Sequence, residues 1–211
     1  MLIERIRNFL IVAFFVVISQ MACAQKHILV VLAHPDMVQS EVNKSIVSEF
    51  NSLDRITIDD LYVKYPEFLI NVEKEQKLLV EHDVIIFQFP LYWFSSPALL
   101  KKWQDDVITS AFSIGENNKL KGKKLMVVVS VGGTAGDYRH GGLMDVTMDE
   151  ILAPFETFAR LTEMEYVTPF VTYAVPNPKI LNIPMSKEEK AQRSIMIEAR
   201  VKDLVAVIKK L

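Results

Sequence analysis

Cysteine is almost absent from this chain, because its 211 residues contain only one, Cys23, near the N-terminus. A single cysteine cannot form an internal disulfide, so none is expected. The four histidines are scattered, and with one cysteine they offer no group at the spacing of zinc ligands. The sequence therefore predicts no metal site. A domain of this length buries about 70% of the surface of its unfolded chain, so burial alone can stabilise it.

An excess of charge of either sign is also missing. The 24 lysine and arginine residues nearly balance the 26 aspartate and glutamate residues, which gives a formal net charge of −2. No basic stripe stands out from this mixture, and no nucleic-acid partner is expected. The sequence also shows no internal repeat, low-complexity tract or interdomain linker. Residues 26–211 are therefore expected to form one domain.

Residues 1–25 are predicted to be a leader that takes no part in the fold. Two arginines precede an apolar run at residues 9–18, and small residues follow at positions 22–24. This order is typical of a secretory signal peptide, and the apolar run is short for a membrane span. The expectation is therefore export, to the periplasm if the leader is cleaved.

Three alternatives to a cleaved leader remain open. Cys23 could be the anchored residue of a lipoprotein, although Gln20 stands where an aliphatic residue is usual. The leader could instead stay attached and associate the protein with a membrane. Synthesis could also begin at Met21, which would leave the protein in the cytoplasm.

From residue 26 onward, short apolar strands alternate with amphipathic helices. Strands are predicted at residues 28–33, 55–59, 84–89, 124–130 and 165–170. Strands that are apolar on both faces and separated by helices indicate a parallel sheet that is covered on both sides. The predicted fold class is α/β, a flavodoxin-like, doubly wound sheet of five parallel strands in the order 2-1-3-4-5.

Helices are predicted between the strands from their apolar spacing and their capping residues. They are expected at residues 40–51, 72–81 and 148–161, with residues 61–70 as an irregular connection. A further helix, capped by Ser95 or Ser96, is expected to run to about residue 110, with Pro97 in its first turn. The last helix is expected to start near Ser186, which forms a capping box with Glu189.

In this strand order, ligands bind at the carboxyl ends of the strands, at the switch point between the first and the third strand. The loops after strands one, three and four are residues 34–40, 90–95 and 131–142. These loops are also the chemically most unusual segments of the chain. The sequence therefore predicts that they form one ligand site.

The first loop runs into an amphipathic helix, and His34, Ser40 and Asn43 supply hydrogen-bond donors there. The amides of a helix's first turn have no partners inside the helix, and its dipole favours an anion. Ser40 is well placed as the N-cap. The pattern favours a phosphate site, and a polar loop with a purely structural role is the alternative.

The second loop contains three consecutive aromatic residues, Tyr92, Trp93 and Phe94. Aromatic rings at a ligand-binding edge form a natural wall for a flat aromatic ligand. Alternatively, they pack under the following helix or in a dimer interface.

The third loop contains five glycines within residues 130–142. Glycine lets the backbone approach a ligand closely and adopt positive φ. Tyr138 and His140 are the side chains of this loop suited to donating a proton or a hydrogen bond at neutral pH. A merely mobile loop is the alternative, with His140 as an ordinary surface histidine beside Arg139.

Four segments carry a family resemblance that covers residues 27–175. They are AHP followed by S-x-x-N (residues 33–43), LYxxYPxF (61–68), FPLYWFSSPALLKKW (89–103) and the S-x-G-G turn (130–133). With these segments in this order, the chain resembles the flavin-dependent NAD(P)H:quinone oxidoreductases of flavodoxin-like fold. That group contains DT-diaphorase and the small bacterial enzymes that accompany glutathione-gated potassium efflux systems.

The resemblance implies a role for each matching residue. The flavin's phosphate and ribityl chain would be held by His34, Ser40 and Asn43. The edge of its isoalloxazine would contact Pro90, Leu91, Tyr92, Trp93 and Phe94. Its pyrimidine side would contact Ser130, Val131, Gly132 and Gly133. Tyr138 stands where the family often has a tyrosine that steadies the reduced flavin, whereas His140 lies near the family's catalytic histidine but not at its spacing.

The resemblance also implies a flavin cofactor and NAD(P)H as the co-substrate. FMN is the expected flavin, because no extra C-terminal segment obviously suits an adenine moiety, and FAD is the alternative. The expected reaction passes a hydride or two electrons to a quinone or similar small acceptor by a ping-pong mechanism. A homodimer is expected, since family members are usually dimers.

Two other functions are kept as alternatives. The chain could be a flavodoxin-like electron carrier or regulatory subunit docked on a membrane partner. Residues 33–36, AHPD, also resemble zinc-dependent N-acetyl-sugar deacetylases. However, Met37 stands where those enzymes need a second acidic residue, and no downstream histidine cluster is present.

Overall fold

The computed structural model describes residues 25–175 and 185–211. The predicted leader therefore lies outside the described residues, apart from Gln25, and its export stays a prediction. Within the described ranges, no helix combines the length and the apolar composition that crossing a bilayer requires.

Five parallel strands form one sheet in the order β2-β1-β3-β4-β5, which confirms the predicted fold class. The strands are β1 (Ile28–Leu32), β2 (Ile56–Asp60), β3 (Val84–Pro90), β4 (Lys124–Ser130) and β5 (Glu165–Thr172). Every residue of β1 and β3 is buried. Continuous apolar sequence is what a strand covered on both faces requires, and these two strands form the centre of the sheet.

The helices that cover the sheet are α1 (Glu41–Phe50), α2 (Leu61–Lys64), α3 (Val72–Glu81), α4 (Ala98–Val107), α5 (Ser110–Ser113), α6 (Met148–Leu161) and α7 (Lys187–Ile208). The predicted bounds of α3 and α6 are those observed. Two of the predicted caps are also confirmed, because Ser40 caps α1 and Ser186 forms a capping box with Glu189 at the start of α7.

The prediction was wrong in three places. Residues 61–70 are not wholly irregular, because α2 forms there with Asp60 Oδ1 accepting hydrogen bonds from its first amides. The helix expected to run to about residue 110 stops at Val107, and α5 begins at Ser110. Residues 107–109 are all β-branched, which disfavours a continuous helix. The N-cap of α4 is Pro97, which was expected in the first turn, so neither Ser95 nor Ser96 caps this helix.

The sheet separates two cores. Residues of α3, α4 and α6 pack on one face, against β3 side chains such as Phe87 and Phe89. Residues of α1 and α7 pack on the other face, against the alternate β3 side chains Val84 and Ile86. The alternation along β3 follows from the two-residue repeat of a strand.

A buried ionic network joins α2, α3 and α4. Glu75 is 0% exposed, and its carboxylate accepts hydrogen bonds from Lys64 Nζ at 2.6 Å, Tyr65 Oη at 2.6 Å and Trp103 Nε1 at 2.8 Å. Lys64 Nζ also donates to Asp59 Oδ1 at 2.7 Å. A buried charge is stable only when it is paired and hydrogen-bonded, and Glu75 has three donors.

This network makes stability depend on pH. Burial, together with the neighbouring carboxyl of Glu75, raises the pKa of Asp59 to about 7, against the opposing effect of Lys64. The folded state thus keeps a proton that the unfolded state releases near its ordinary pKa of 3.8. The contribution of Asp59 to stability should therefore fall as the pH rises from about 4 to about 7, by at most about 1.4 kcal/mol per pH unit.

We expect Asp59→Asn to remove this slope, because an amide does not titrate. The measurement is the free energy of unfolding in urea at several pH values between 5 and 8. The exposed Asp54→Asn is the matched control for the loss of one carboxylate, and its profile should run parallel to that of the wild type. A profile of Asp59→Asn that also runs parallel would contradict the assignment.

Candidate functional site

The loops after β1, β3 and β4 meet at one edge of the sheet and enclose a cleft of ≈ 240 Å³. The structure thus brings together loops that are far apart in the sequence. The predicted site residues that line the cleft are His34, Ser40, Pro90, Leu91, Tyr92, Ser130, Val131 and Gly132.

The first turn of α1 lines the cleft with free backbone amides. The Oγ atom of Ser40 accepts a hydrogen bond from the N–H of Asn43 at 3.1 Å, which caps the helix. Within the described residues, the N–H groups of Glu41 and Val42 have no hydrogen-bond acceptor. Free amides at the positive end of a helix dipole attract an anion.

His34 adds a neutral donor beside this turn. The backbone N–H of Asp36 donates to His34 Nδ1 at 3.1 Å. A nitrogen that accepts carries no proton, so the proton of the neutral ring is on Nε2. Burial lowers the pKa of His34 against the opposing charge of Asp36. The ring is therefore neutral at pH 7 and has one N–H to donate.

Asn43 lies behind the cleft and connects two of its loops. It is 2% exposed, and its Nδ2 donates to Ser40 Oγ at 3.0 Å and to Ser130 Oγ at 3.1 Å. One side-chain amide therefore fixes the position of the first loop relative to the end of β4, where the third loop begins.

Two residues that line the cleft lie outside the predicted loops and the first turn of α1, and the sequence analysis missed them. Arg193 of α7 lines the cleft and forms an ion pair with Glu41 at the start of α1, and Val175 lines the cleft after β5. The spacing of apolar residues in α7 could have predicted that Arg193 faces the protein, because the buried residues Ile197 and Val201 follow it at intervals of four. An arginine on that face needs a partner. No local signal identifies Glu41 as that partner.

The aromatic loop is a strained two-residue turn. The backbones of Tyr92 and Ser95 exchange hydrogen bonds of 2.9 and 3.0 Å. Trp93 and Phe94 between them have φ angles of +47° and +63°. A turn with positive φ at both central residues is a type I′ turn, which ordinarily uses Asn and Gly. Each bulky residue in this region costs about 1–3 kcal/mol, and such strain is concentrated at functional sites.

Tyr92 lines the cleft, but the turn directs the rings of Trp93 and Phe94 away from it. Trp93 is 94% exposed and does not line the cleft. Phe94 lines a neighbouring groove of ≈ 550 Å³ between α4, α5 and α6, together with Phe155 and Phe158. Leu91 lies between the cleft and the groove and lines both. The rim therefore carries a solvent-exposed apolar surface next to the cleft.

The predicted catalytic residues do not line the cleft. Tyr138 packs beside the double-glycine turn, where a Cβ atom on Gly133 would come within 3.0 Å of its ring. Its ring also lies 6.0 Å from that of Tyr173. Burial raises the pKa of Tyr138, so its phenol keeps its proton at neutral pH. His140 is farther out, with a side chain that is 68% exposed and 3.4 Å from Glu150 Oε1.

The AHPD segment has a structural explanation. The carboxylate of Asp36 accepts a hydrogen bond from the N–H of Gln39 at 3.3 Å and caps a single 3₁₀ turn, Met37–Gln39. Across residues 25–175 and 185–211, no three His, Cys, Asp or Glu side chains are grouped as metal ligands would be.

The strain of the aromatic turn can be measured directly. We expect Trp93→Gly to stabilise the fold by about 1 kcal/mol, because glycine adopts positive φ freely and the exposed ring contributes no burial. The control is Trp93→Ala, which removes the ring but keeps a Cβ atom in the left-handed region. Urea unfolding of both variants is the measurement. Equal stabilities of the two variants would show that the backbone at Trp93 is not strained.

The chain belongs to the family described as having a flavodoxin-like fold, whose match spans residues 26–194. It is 44% identical over 146 residues to the uncharacterized NAD(P)H oxidoreductase YrkL of Bacillus subtilis (strain 168). That alignment covers 69% of this chain and 84% of the relative.

Two solved structures are also similar. The general stress protein 14 of Treponema denticola, a complex with FMN, is 35% identical with a TM-score of 0.77, over 87% of this chain and 98% of that one. The NADPH-quinone reductase of P. pentosaceus is 32% identical with a TM-score of 0.68, over 83% of this chain and 96% of that one.

Proposed function

We propose that this protein is a flavin-dependent NAD(P)H oxidoreductase that reduces a quinone or a similar small acceptor. One observation carries the proposal: the first turn of α1, in which the amides of Glu41 and Val42 are free, and residues 130–132 line the same cleft at the sheet's switch point. Such a cleft can hold an anion at one end and the polar edge of a ring at the other. The relatives named as an NAD(P)H oxidoreductase and an NADPH-quinone reductase support the same activity.

The residues of the cleft fit FMN. Its phosphate would be held by the amides of Glu41 and Val42, the hydroxyl of Ser40 and the neutral Nε2–H of His34. Its ring would lie against Leu91 and the backbone of the β3 and β4 loops. FMN is the proposed cofactor because the similar Treponema protein was solved with it, and FAD is the alternative.

When bound, the flavin supplies the capacity to accept a hydride and to release two electrons, and the protein supplies binding and position. NAD(P)H and the acceptor would use the same open side of the cleft in turn, which gives ping-pong kinetics. The neutral phenol of Tyr138 and the side chain of His140 are the proposed groups that act on the ring from the glycine-rich loop. Gly133 allows the close packing of Tyr138 against that loop.

A homodimer is proposed on the exposed apolar rim. Phe94 lines the groove between α4, α5 and α6, and Trp93, the residue before it, is 94% exposed, so a second copy of the chain would remove both rings from water. Export through the leader, with cytoplasmic synthesis from Met21 as the alternative, is likewise a proposal.

The decisive experiment is an absorbance spectrum of natively purified protein, followed by mass spectrometry of the released cofactor. We expect bound FMN, together with NADH or NADPH oxidation in the presence of menadione. Double-reciprocal plots at several menadione concentrations should give parallel lines. Protein that binds neither FMN nor FAD would refute the proposal. Flavin binding without turnover would favour the electron-carrier alternative instead.

Tyr138→Phe tests the role of the phenol. If the O–H acts on the reduced ring, menadione reduction should fall at least about tenfold, the order of one hydrogen bond to a charged group. The flavin content should change little, because the ring of residue 138 still packs. Tyr173→Phe, at the neighbouring ring, is the matched control and should keep its turnover. Equal losses of flavin and activity in Tyr138→Phe would make Tyr138 a binding residue.

A further inference from the structure

Gln88 is a polar residue inside an apolar strand. It lies on β3, on the same face as Val84 and Ile86, and it is 0% exposed. A buried amide without hydrogen bonds costs about 1–3 kcal/mol, so the partners of Gln88 indicate what the residue does. Gln88 does not line the cleft.

The side-chain nitrogen of Gln88 faces two oxygen atoms of Asn43. Nε2 is 3.1 Å from Asn43 Oδ1 and 3.5 Å from the backbone oxygen of Asn43. A backbone carbonyl can only accept, so the atom that faces it must be a donor. If the amide of Gln88 were reversed, its Oε1 would face the two oxygen atoms of Asn43, and its NH₂ group would be buried without a partner. In the observed orientation, the Oε1 atom of Gln88 has no partner among the described residues, and an unpaired carbonyl oxygen is better tolerated than an unpaired NH₂ group.

This orientation determines the orientation of Asn43. Because Asn43 Oδ1 accepts from Gln88, the group that faces Ser40 Oγ and Ser130 Oγ is the NH₂ of Asn43. An NH₂ group donates and does not accept. Both serine oxygens are therefore acceptors toward Asn43.

Each serine consequently has a hydroxyl proton to give elsewhere. Ser40 Oγ also accepts from the backbone N–H of Asn43, so both of its lone pairs are in use and its proton must point to another group. Ser40 and Ser130 both line the cleft. Their hydroxyls are thus free to donate to a ligand there.

We propose that Gln88 is a positioning residue that fixes the hydroxyls of Ser40 and Ser130 as donors toward the bound flavin. The inference rests on the proposed function, because the acceptors are the oxygen and nitrogen atoms of that flavin. Without Gln88, the amide of Asn43 is free to turn over. Asn43 Oδ1 would then attract both hydroxyl protons, and the cleft would lose two donors.

The test is Gln88→Met, which keeps a side chain of similar length but has no N–H. We expect the Kd of the apoprotein for FMN, measured by quenching of flavin fluorescence, to rise at least about tenfold. In a Ser40→Gly/Ser130→Ala background, the same substitution should change Kd less than about twofold, because the hydroxyls through which Gln88 acts are gone. Glycine at position 40 keeps most of the N-cap stability.

Ile86→Val is the matched control, since it truncates a buried side chain on the same face of β3. It should lower the free energy of unfolding by about 1 kcal/mol and leave the Kd for FMN unchanged. A rise in Kd with Ile86→Val equal to that with Gln88→Met would mean that Gln88 acts only through packing.

Gln88→Glu is the second variant, and it tests the positioning role of Gln88 even if Gln88→Met does not fold. A protonated carboxyl can donate to Asn43, whereas an ionised one cannot. The ratio of its Kd to that of the wild type at the same pH should therefore fall as the pH is lowered from 8 to 5. A ratio independent of pH would overturn the proposal.

The failures are distinguishable. A wild-type protein that binds no flavin overturns the proposed function and this inference with it. A wild-type protein that binds FMN, together with a folded Gln88→Met variant of equal affinity, overturns the inference alone. An equal effect of Gln88→Met with and without the two serines also overturns it.

Discussion

β1 pairs in parallel with β2 on one side and with β3 on the other, and the position of the cleft follows from this constraint. The chain passes from β1 to β2 through α1 on one face of the sheet. It passes from β2 to β3 through α2 and α3 on the opposite face. Because these two crossovers lie on opposite faces of the sheet, the loops that follow β1 and β3 point in different directions and leave a gap between them. The third loop reaches the same gap because β4 lies next to β3.

Buried polar groups hold this arrangement in place on both faces of the sheet. On one face, Glu75 attaches Trp103 of α4 to α2 and α3. On the other, Gln88 and Asn43 join β3, α1 and the last residue of β4. The strained aromatic turn lies between β3 and α4, two elements that are fixed independently. Strain persists only where its surroundings over-determine the backbone, and both ends of this turn meet that condition.

The parts that were predictable from the sequence are those governed by local rules. The apolar run of β4 and the capping box of Ser186 specify their elements through neighbours a few residues away, and both were confirmed. The switch-point rule placed His34, Ser40 and Ser130 at one edge for the same reason, since it needs only the order of the elements. The flavin contacts assigned to these residues are still proposals.

The parts that were missed depend on contacts distant in sequence. Short α2 is stabilised by the contact of Lys64 with Glu75, which no periodicity shows. Arg193 reaches the cleft only because α7 packs beside α1. The outward direction of Trp93 comes from a type I′ turn without the glycine or asparagine that usually marks one.

The ion pair between Arg193 and Glu41 has a consequence for selectivity among anions. The guanidinium next to the helix terminus is already neutralised by a carboxylate of the same protein, so the local field for a free inorganic anion is weak. Orthophosphate or sulfate would gain little there beyond the helix amides. A ligand that also places a planar group against Leu91 gains a second, apolar attachment. Such a ligand is retained because its anionic group and its planar group belong to one molecule and bind together. Small inorganic anions have no second group of this kind.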